Sequence, residues 1–133
     1  MKIAIMGFGV VGSGVGELLI TNAKNIAKKA GDTIEVKYIL DLRDFPDSEY
    51  KCFTKDFNDI LNDPEVEAVI EAMGGTVPAY DFTKKLLLAG KHVVSSNKEL
   101  VAKHGTELLQ IAKEKNVRYL FEASVGGGIP IIR

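Results

Sequence analysis

The residues of this sequence that could do chemistry are few, and the first of them are glycines. Gly7, Gly9 and Gly12 are spaced as G-x-G-x-x-G directly behind an apolar run, Lys2-Ile-Ala-Ile-Met6. At a strand-to-helix junction the first glycine permits a tight turn. The second lets the backbone approach a pyrophosphate, and the third lets helix and strand pack closely. The unpaired N–H groups of the helix's first turn, with its dipole, then favour a bound dianion. Asp41 ends a second apolar run, Ile34–Leu40, where a carboxylate can accept hydrogen bonds from an adenosine ribose. Asp41 would repel a phosphate on that ribose and Arg43 would grip it. The two residues argue in opposite directions, with a small balance in favour of NAD over NADP.

Further along, Gly74-Gly75 follow a third apolar run and would let backbone approach a flat ring; a plain turn is the equal alternative. Ser96 stands where it could contact a nicotinamide or its ribose. Lys98 follows Asn97 at the start of a helix, where the dipole disfavours a cation. A partly desolvated lysine there can relay the proton of an alcohol as hydride leaves the carbon, although most lysines are solvated surface charges. Glu122 and the loop Val125-Gly-Gly-Gly-Ile-Pro130 could offer carbonyls to a hard cation such as Na⁺, the plainer reading being a loop into further structure. His92 and His104 stand apart from each other and from Cys52, so no metal constellation is visible. His92 is expected to pack at a strand start and His104 to end a helix.

These residues need elements to hold them. Residues 2–6 read as a strand buried on both faces, as parallel strands are. Val11, Val15, Leu18, Leu19 and Ile26 recur at helical spacing up to Lys28-Lys29. Residues 34–40 form a second strand, 43–50 a loop, 51–53 a short edge strand and 56–61 a short helix. A third clear strand spans 66–72. Thr76 and Pro78 begin a helix, the proline in its first turn, that Gly90 caps. Strand 92–95 is followed by a helix from Asn97, interrupted at Gly105 and restarted at Thr106, and then by strand 117–121. Strands alternating with helices predict an α/β fold of Rossmann type: a doubly wound, mostly parallel six-stranded sheet of order 3-2-1-4-5-6. Gly7–Gly12, Asp41–Arg43, Met73–Thr76, Ser95–Lys98 and Glu122–Gly128 all fall at carboxyl ends of strands, where such sheets bind ligands.

Bulk composition narrows the classes. With 133 residues there is room for one domain with a real core. A net charge of −1 gives no general reason to expect nucleic acid as a partner. No apolar run approaches the ~20 residues of a membrane span, and the N-terminus lacks a signal-peptide plan. The single cysteine, Cys52, excludes an internal disulfide and fits a reducing cytoplasm.

At four places the sequence resembles homoserine dehydrogenase, in its N-terminal nucleotide-binding part. They are Gly7–Gly12, Val69-Ile-Glu-Ala-Met-Gly-Gly75, Ser95-Ser-Asn-Lys-Glu-Leu-Val-Ala-Lys-His-Gly105 and Phe121-Glu-Ala-Ser-Val-Gly-Gly-Gly-Ile-Pro-Ile131. The first is common to many dehydrogenases; the last two, in this order and spacing, are specific. The resemblance implies reversible oxidation of L-homoserine to L-aspartate 4-semialdehyde with NAD or NADP, in threonine, methionine and isoleucine synthesis. By position, Lys98 matches the family's active-site lysine, on the cofactor side of the crevice. Phe8, Val10 and Val11 match residues that cradle the dinucleotide, and Ser96 matches a contact to its nicotinamide part. Glu122, Val125, Gly127 and Ile129 match positions whose carbonyls hold a monovalent cation. Leu40 departs from the arginine that members often carry there, which weakens the NADP reading. The family also continues past Ile131 into a substrate-binding, dimer-forming domain. Residues 1–133 are therefore expected to be the nucleotide-binding domain of a longer cytoplasmic homodimer, binding cofactor alone without turnover. A dehydrogenase of another amino acid, such as aspartate, and a non-catalytic dinucleotide-binding module are the alternatives.

Overall fold

A computed structural model of the chain describes residues 1–9, 34–43, 45–48 and 50–121. The apolar runs form strands β1 (Lys2–Met6), β2 (Glu35–Leu40), β3 (Phe53–Thr54), β4 (Val66–Glu71), β5 (His92–Ser95) and β6 (Tyr119–Phe121). Among the described residues the helices are α1 (Phe57–Leu61), α2 (Ala79–Leu88) and α3 (Lys98–Glu114). The strands form one sheet in the order β3-β2-β1-β4-β5-β6, and every adjacent pair is parallel. The sheet is thus the expected one, parallel throughout rather than mostly so. The helix expected after Gly12 and the segment after Phe121 lie outside the described residues.

β1 sits at the centre. Ile3 to Met6 are buried, as a strand with neighbours on both edges and cover on both faces must be. One face packs on the helices through a core that includes Met6, Phe57, Val69, Leu86, Leu100 and Leu108. The other carries a smaller cluster of Ile5, Phe8 and Ile39, joined by Phe45 and Phe53. Phe8 meets both of those rings edge-on, with centroids 5.1 and 5.2 Å away. The order reverses between β1 and β4. There the ladder runs one step beyond the strands, with Gly7 N–H donating to Leu40 O and Ala72 N–H to Met6 O, both at 2.8 Å.

Four local expectations need correction. α3 runs unbroken through Gly105, because Leu100, Leu108 and Ala112 keep one buried face in register across it. That packing outweighs the ~1 kcal/mol a mid-helix glycine costs. His104 therefore lies mid-helix, its ring 4.1 Å from that of Tyr80 on α2, rather than at a helix end. His92 opens β5 but is exposed, and its Nδ1 accepts the Arg118 N–H at 3.0 Å. Pro78 precedes α2 as its N-cap rather than lying in its first turn, and the Val77–Pro78 peptide is cis. The end of α2 is as expected. Gly90 has φ +86°, and the N–H groups of Gly90 and Lys91 donate to Leu87 O and Leu86 O, closing the helix's last carbonyls.

Candidate functional site

The carboxyl ends of β1, β2 and β4 surround a cavity of about 420 Å³, of a size suited to part of a nucleotide. Gly7, Gly9, Asp41 and Arg43 line it, and Leu42, Phe57, Met73, Pro78 and Phe82 supply apolar wall. Gly7 has φ +90°. A Cβ there would stand 2.7 Å from the carbonyl oxygen of Ala72 and 3.0 Å from Met73 Cα. Only glycine lets the β1 tip turn this close to β4. The turn leads to Gly9, whose backbone faces the cavity.

Asp41 is the most constrained group at this end. Its side chain is 8% exposed. Oδ2 accepts the Phe8 N–H and Arg43 Nη2, both at 2.9 Å. Oδ1 accepts the Arg43 N–H at 2.9 Å and Arg43 Nε at 3.1 Å. The guanidinium, with the two amides behind it, brings the carboxyl down to about 2 against the opposing effect of burial. The negative charge expected at the tip of the second strand is present and held ionised. The Phe8 N–H is spent on it, while the Phe8 ring lies in the aromatic cluster under the sheet. Asp41 and Arg43, read separately from sequence as competing cues, are one bidentate ion pair.

A second assembly joins the ends of β4 and β5. Glu71 is fully buried. Its carboxylate accepts Ser95 Oγ at 2.7 Å, the Met73 N–H at 2.9 Å and Asn97 Nδ2 at 3.3 Å. Its carbonyl accepts the Ser96 N–H at 3.0 Å. Asn97 also donates to Gly75 O, and its Oδ1 caps α3 by accepting the Leu100 N–H at 3.0 Å. Glu71 thereby ties down the Met73–Gly75 turn and the first turn of α3 through its carboxylate, and Ser96 through its carbonyl. Gly74 and Gly75 have φ +76° and +71°, with open space where a Cβ would sit. Both residues are exposed. Lys98, the first residue of α3, is exposed rather than partly desolvated, because its side chain leaves from the capped end of a helix that opens on solvent. Desolvation there has to come from a group laid over it.

The structure thus groups Gly7, Gly9, Asp41 and Arg43 around one cavity and Gly74, Gly75, Ser96 and Lys98 around the Glu71–Asn97 network. Val10, Val11 and Gly12, and the expected cation ligands Glu122, Val125, Gly127 and Ile129, lie outside the described residues. No cluster of three metal-binding side chains occurs among the described residues. Sequence reasoning missed Glu71, although a carboxylate at the carboxyl end of a strand placed in the middle of the sheet was a visible signal. It also missed Lys55, which lines the cavity beside Arg43.

A parallel sheet that switches direction beside a glycine turn and a strand-end acid fits a dinucleotide. Comparison with known proteins is more specific. The family model described as the NAD-binding domain of homoserine dehydrogenase matches residues 7–122. The chain belongs to this family. It is 42% identical, over its whole length, to a homoserine dehydrogenase of Pseudomonas aeruginosa and 38% identical to one of Lactococcus lactis. The solved homoserine dehydrogenase of Staphylococcus aureus superposes with a TM-score of 0.88 over 98% of the chain at 38% identity. That of Thiobacillus denitrificans gives 0.88 over 98% at 37%. These matches do not favour a dehydrogenase of a different amino acid. The chain spans 31% and 32% of the two curated homoserine dehydrogenases and 35% and 31% of the two solved chains. It corresponds to their nucleotide-binding part. Among the described residues no helix is long and apolar enough to cross a membrane.

Proposed function

We propose that this chain is the cofactor-binding domain of an enzyme that oxidises L-homoserine reversibly to L-aspartate 4-semialdehyde. The observation that carries the proposal is the cavity at the β1–β4 switch point, where the Gly7 turn and the ionised Asp41 share one wall. The backbone at Gly9 lies against the diphosphate, and Asp41 faces the adenosine ribose. The apolar wall of Leu42, Met73, Pro78 and Phe82 takes the adenine. Gly74, Gly75 and Ser96 receive the nicotinamide end. When bound, the nicotinamide accepts hydride from the alcohol carbon.

Lys98 takes up or relays the hydroxyl proton at its Nζ. The Asn97 cap, itself braced by Glu71, fixes the helix end from which Lys98 projects. Substrate and nicotinamide laid over that end supply the desolvation that a lysine proton relay requires. Asp41 supports NAD as the preferred cofactor, with NADP the weaker ligand. The carbonyls of Glu122, Val125, Gly127 and Ile129 suit a monovalent cation such as Na⁺. The groups that hold homoserine belong to a substrate domain following residue 133, which also forms a cytoplasmic homodimer.

The chain alone binds cofactor without turnover. Titration with NADH and NADPH, followed by nicotinamide fluorescence, tests the cofactor reading, and a clear preference for NADPH overturns the use made of Asp41. Homoserine oxidation is assayed with the 133-residue chain and with the full-length protein; robust turnover by the short chain refutes the division of labour. In the full-length protein, Lys98→Ala lowers turnover far more than cofactor affinity. An unchanged rate removes Lys98 from the mechanism.

A further inference from the structure

A carboxylate offers about four lone-pair positions in its plane. At Asp41 two donors on each oxygen fill them: the Phe8 N–H and Arg43 Nη2 on Oδ2, the Arg43 N–H and Nε on Oδ1. A ribose diol brings two more donors, so it can bind only after two present ones leave. The two amides cannot. The Phe8 N–H is fixed by the glycine turn, and the Arg43 N–H by the backbone two residues from Asp41 itself. The guanidinium can. Its side chain is 63% exposed, and an ion pair with one partner in water is weak. Its two bonds are also the ones whose number and spacing match a pair of vicinal hydroxyls. Arg43 has somewhere to go, since its guanidinium carbon is 5.3 Å from the Phe45 ring centroid and it lines the adjoining cavity with Phe45 and Phe53.

We propose that Arg43 is a built-in competitor for the ribose diol and thereby a specificity-determining residue. In this structure it occupies two acceptor positions of Asp41. A dinucleotide with a free diol must displace it, and loses affinity by the strength of that ion pair. A dinucleotide phosphorylated on that ribose gives the displaced guanidinium a bidentate anion to hold, which recovers the loss. Arg43 therefore narrows the gap between the two cofactors that Asp41 would otherwise open. The inference rests on the dinucleotide reading of the cavity given above.

The test is titration of the full-length protein and its Arg43→Ala and Arg43→Lys variants with NADH and NADPH, read by nicotinamide fluorescence. Arg43→Ala tightens NADH about fivefold, the equivalent of the ~1 kcal/mol that an exposed ion pair can hold, and weakens NADPH by at least as much. Arg43→Lys keeps the charge without the fork and falls between wild type and Arg43→Ala for both. A second readout is the Arg43 Nε–H resonance, which Asp41 protects from solvent exchange in the free protein and which exchanges fast once NADH is bound. Weaker or unchanged NADH binding in Arg43→Ala overturns the exchange, as does an Nε–H that stays protected with NADH bound. In those cases wild-type binding still stands, and with it the dinucleotide reading. Failure of the wild-type protein to bind either nucleotide removes both.

Discussion

Gly7→Ala is the sharpest perturbation of this fold, and Gly90→Ala is its control. The two glycines have nearly the same φ, +90° and +86°. An alanine at either suffers the left-handed penalty of about 1–2 kcal/mol, partly offset by the lower entropy of the unfolded chain. The surroundings differ. At Gly90 the new methyl meets nothing within 4 Å. At Gly7 it meets Ala72 O at 2.7 Å, Ala72 C at 2.9 Å and Met73 Cα at 3.0 Å, all backbone, so no side chain can swing aside. Relief requires the β1 and β4 tips to separate, which strains the 2.8 Å bond from Ala72 N–H to Met6 O. Overpacking of this kind costs about 1–3 kcal/mol more. Gly90→Ala should therefore cost about 1 kcal/mol and Gly7→Ala about 2–4 kcal/mol. With a urea m-value of about 2 kcal/mol/M, the Gly7 midpoint falls by about 1–2 M. Urea unfolding followed by far-UV circular dichroism measures both. Equal losses at the two sites would refute the claim that close approach to β4, rather than backbone conformation alone, demands glycine at Gly7.

Three further outcomes follow from the same geometry. Asp41 titrates near 2 in the folded chain against an ordinary 3.8, so its stabilisation is complete above about pH 4 and is lost as pH falls toward 2. Asp41→Asn should flatten that part of the acid-unfolding curve and cost about 1–2 kcal/mol at neutral pH, discounted because the guanidinium is solvated. Glu71→Ala strands three donors and should cost about 3 kcal/mol, with faster hydrogen exchange at the Met73 and Leu100 amides; Glu71→Gln, which keeps an acceptor, should cost about half. The Thr83 hydroxyl is buried on α2 with no hydrogen-bond partner among the described residues, so Thr83→Val should raise stability by about 1 kcal/mol in the same urea assay.

What could be read in advance was whatever depends on neighbours along the chain. Short apolar runs located the six strands of the described sheet. The alternation of strand and helix then leaves few topologies open, so even the sheet order was legible. The position of Asp41 at a strand tip was legible for the same reason. Its saturation by Arg43 and the Phe8 amide was not, because Phe8 reaches it across 33 residues of chain. Glu71 escaped for a similar cause: its partners Ser95 and Asn97 come within reach only because β5 lies beside β4. Gly105 misled because local propensity argued for a break. The apolar register running from Leu100 through Leu108 to Ala112 was also in the sequence and carried the opposite message.

The sheet closes with strands too short to recruit. At one margin β3 offers two residues of ladder, Phe53 and Thr54, and at the other β6 offers three, Tyr119 to Phe121. A neighbouring chain that tried to extend the sheet would find few free peptide groups to template on, while the long, sticky β1 and β4 are shielded in the middle. Fibril-like stacking through these margins is thus discouraged by the architecture itself, without a charged or proline gatekeeper inside either outer strand.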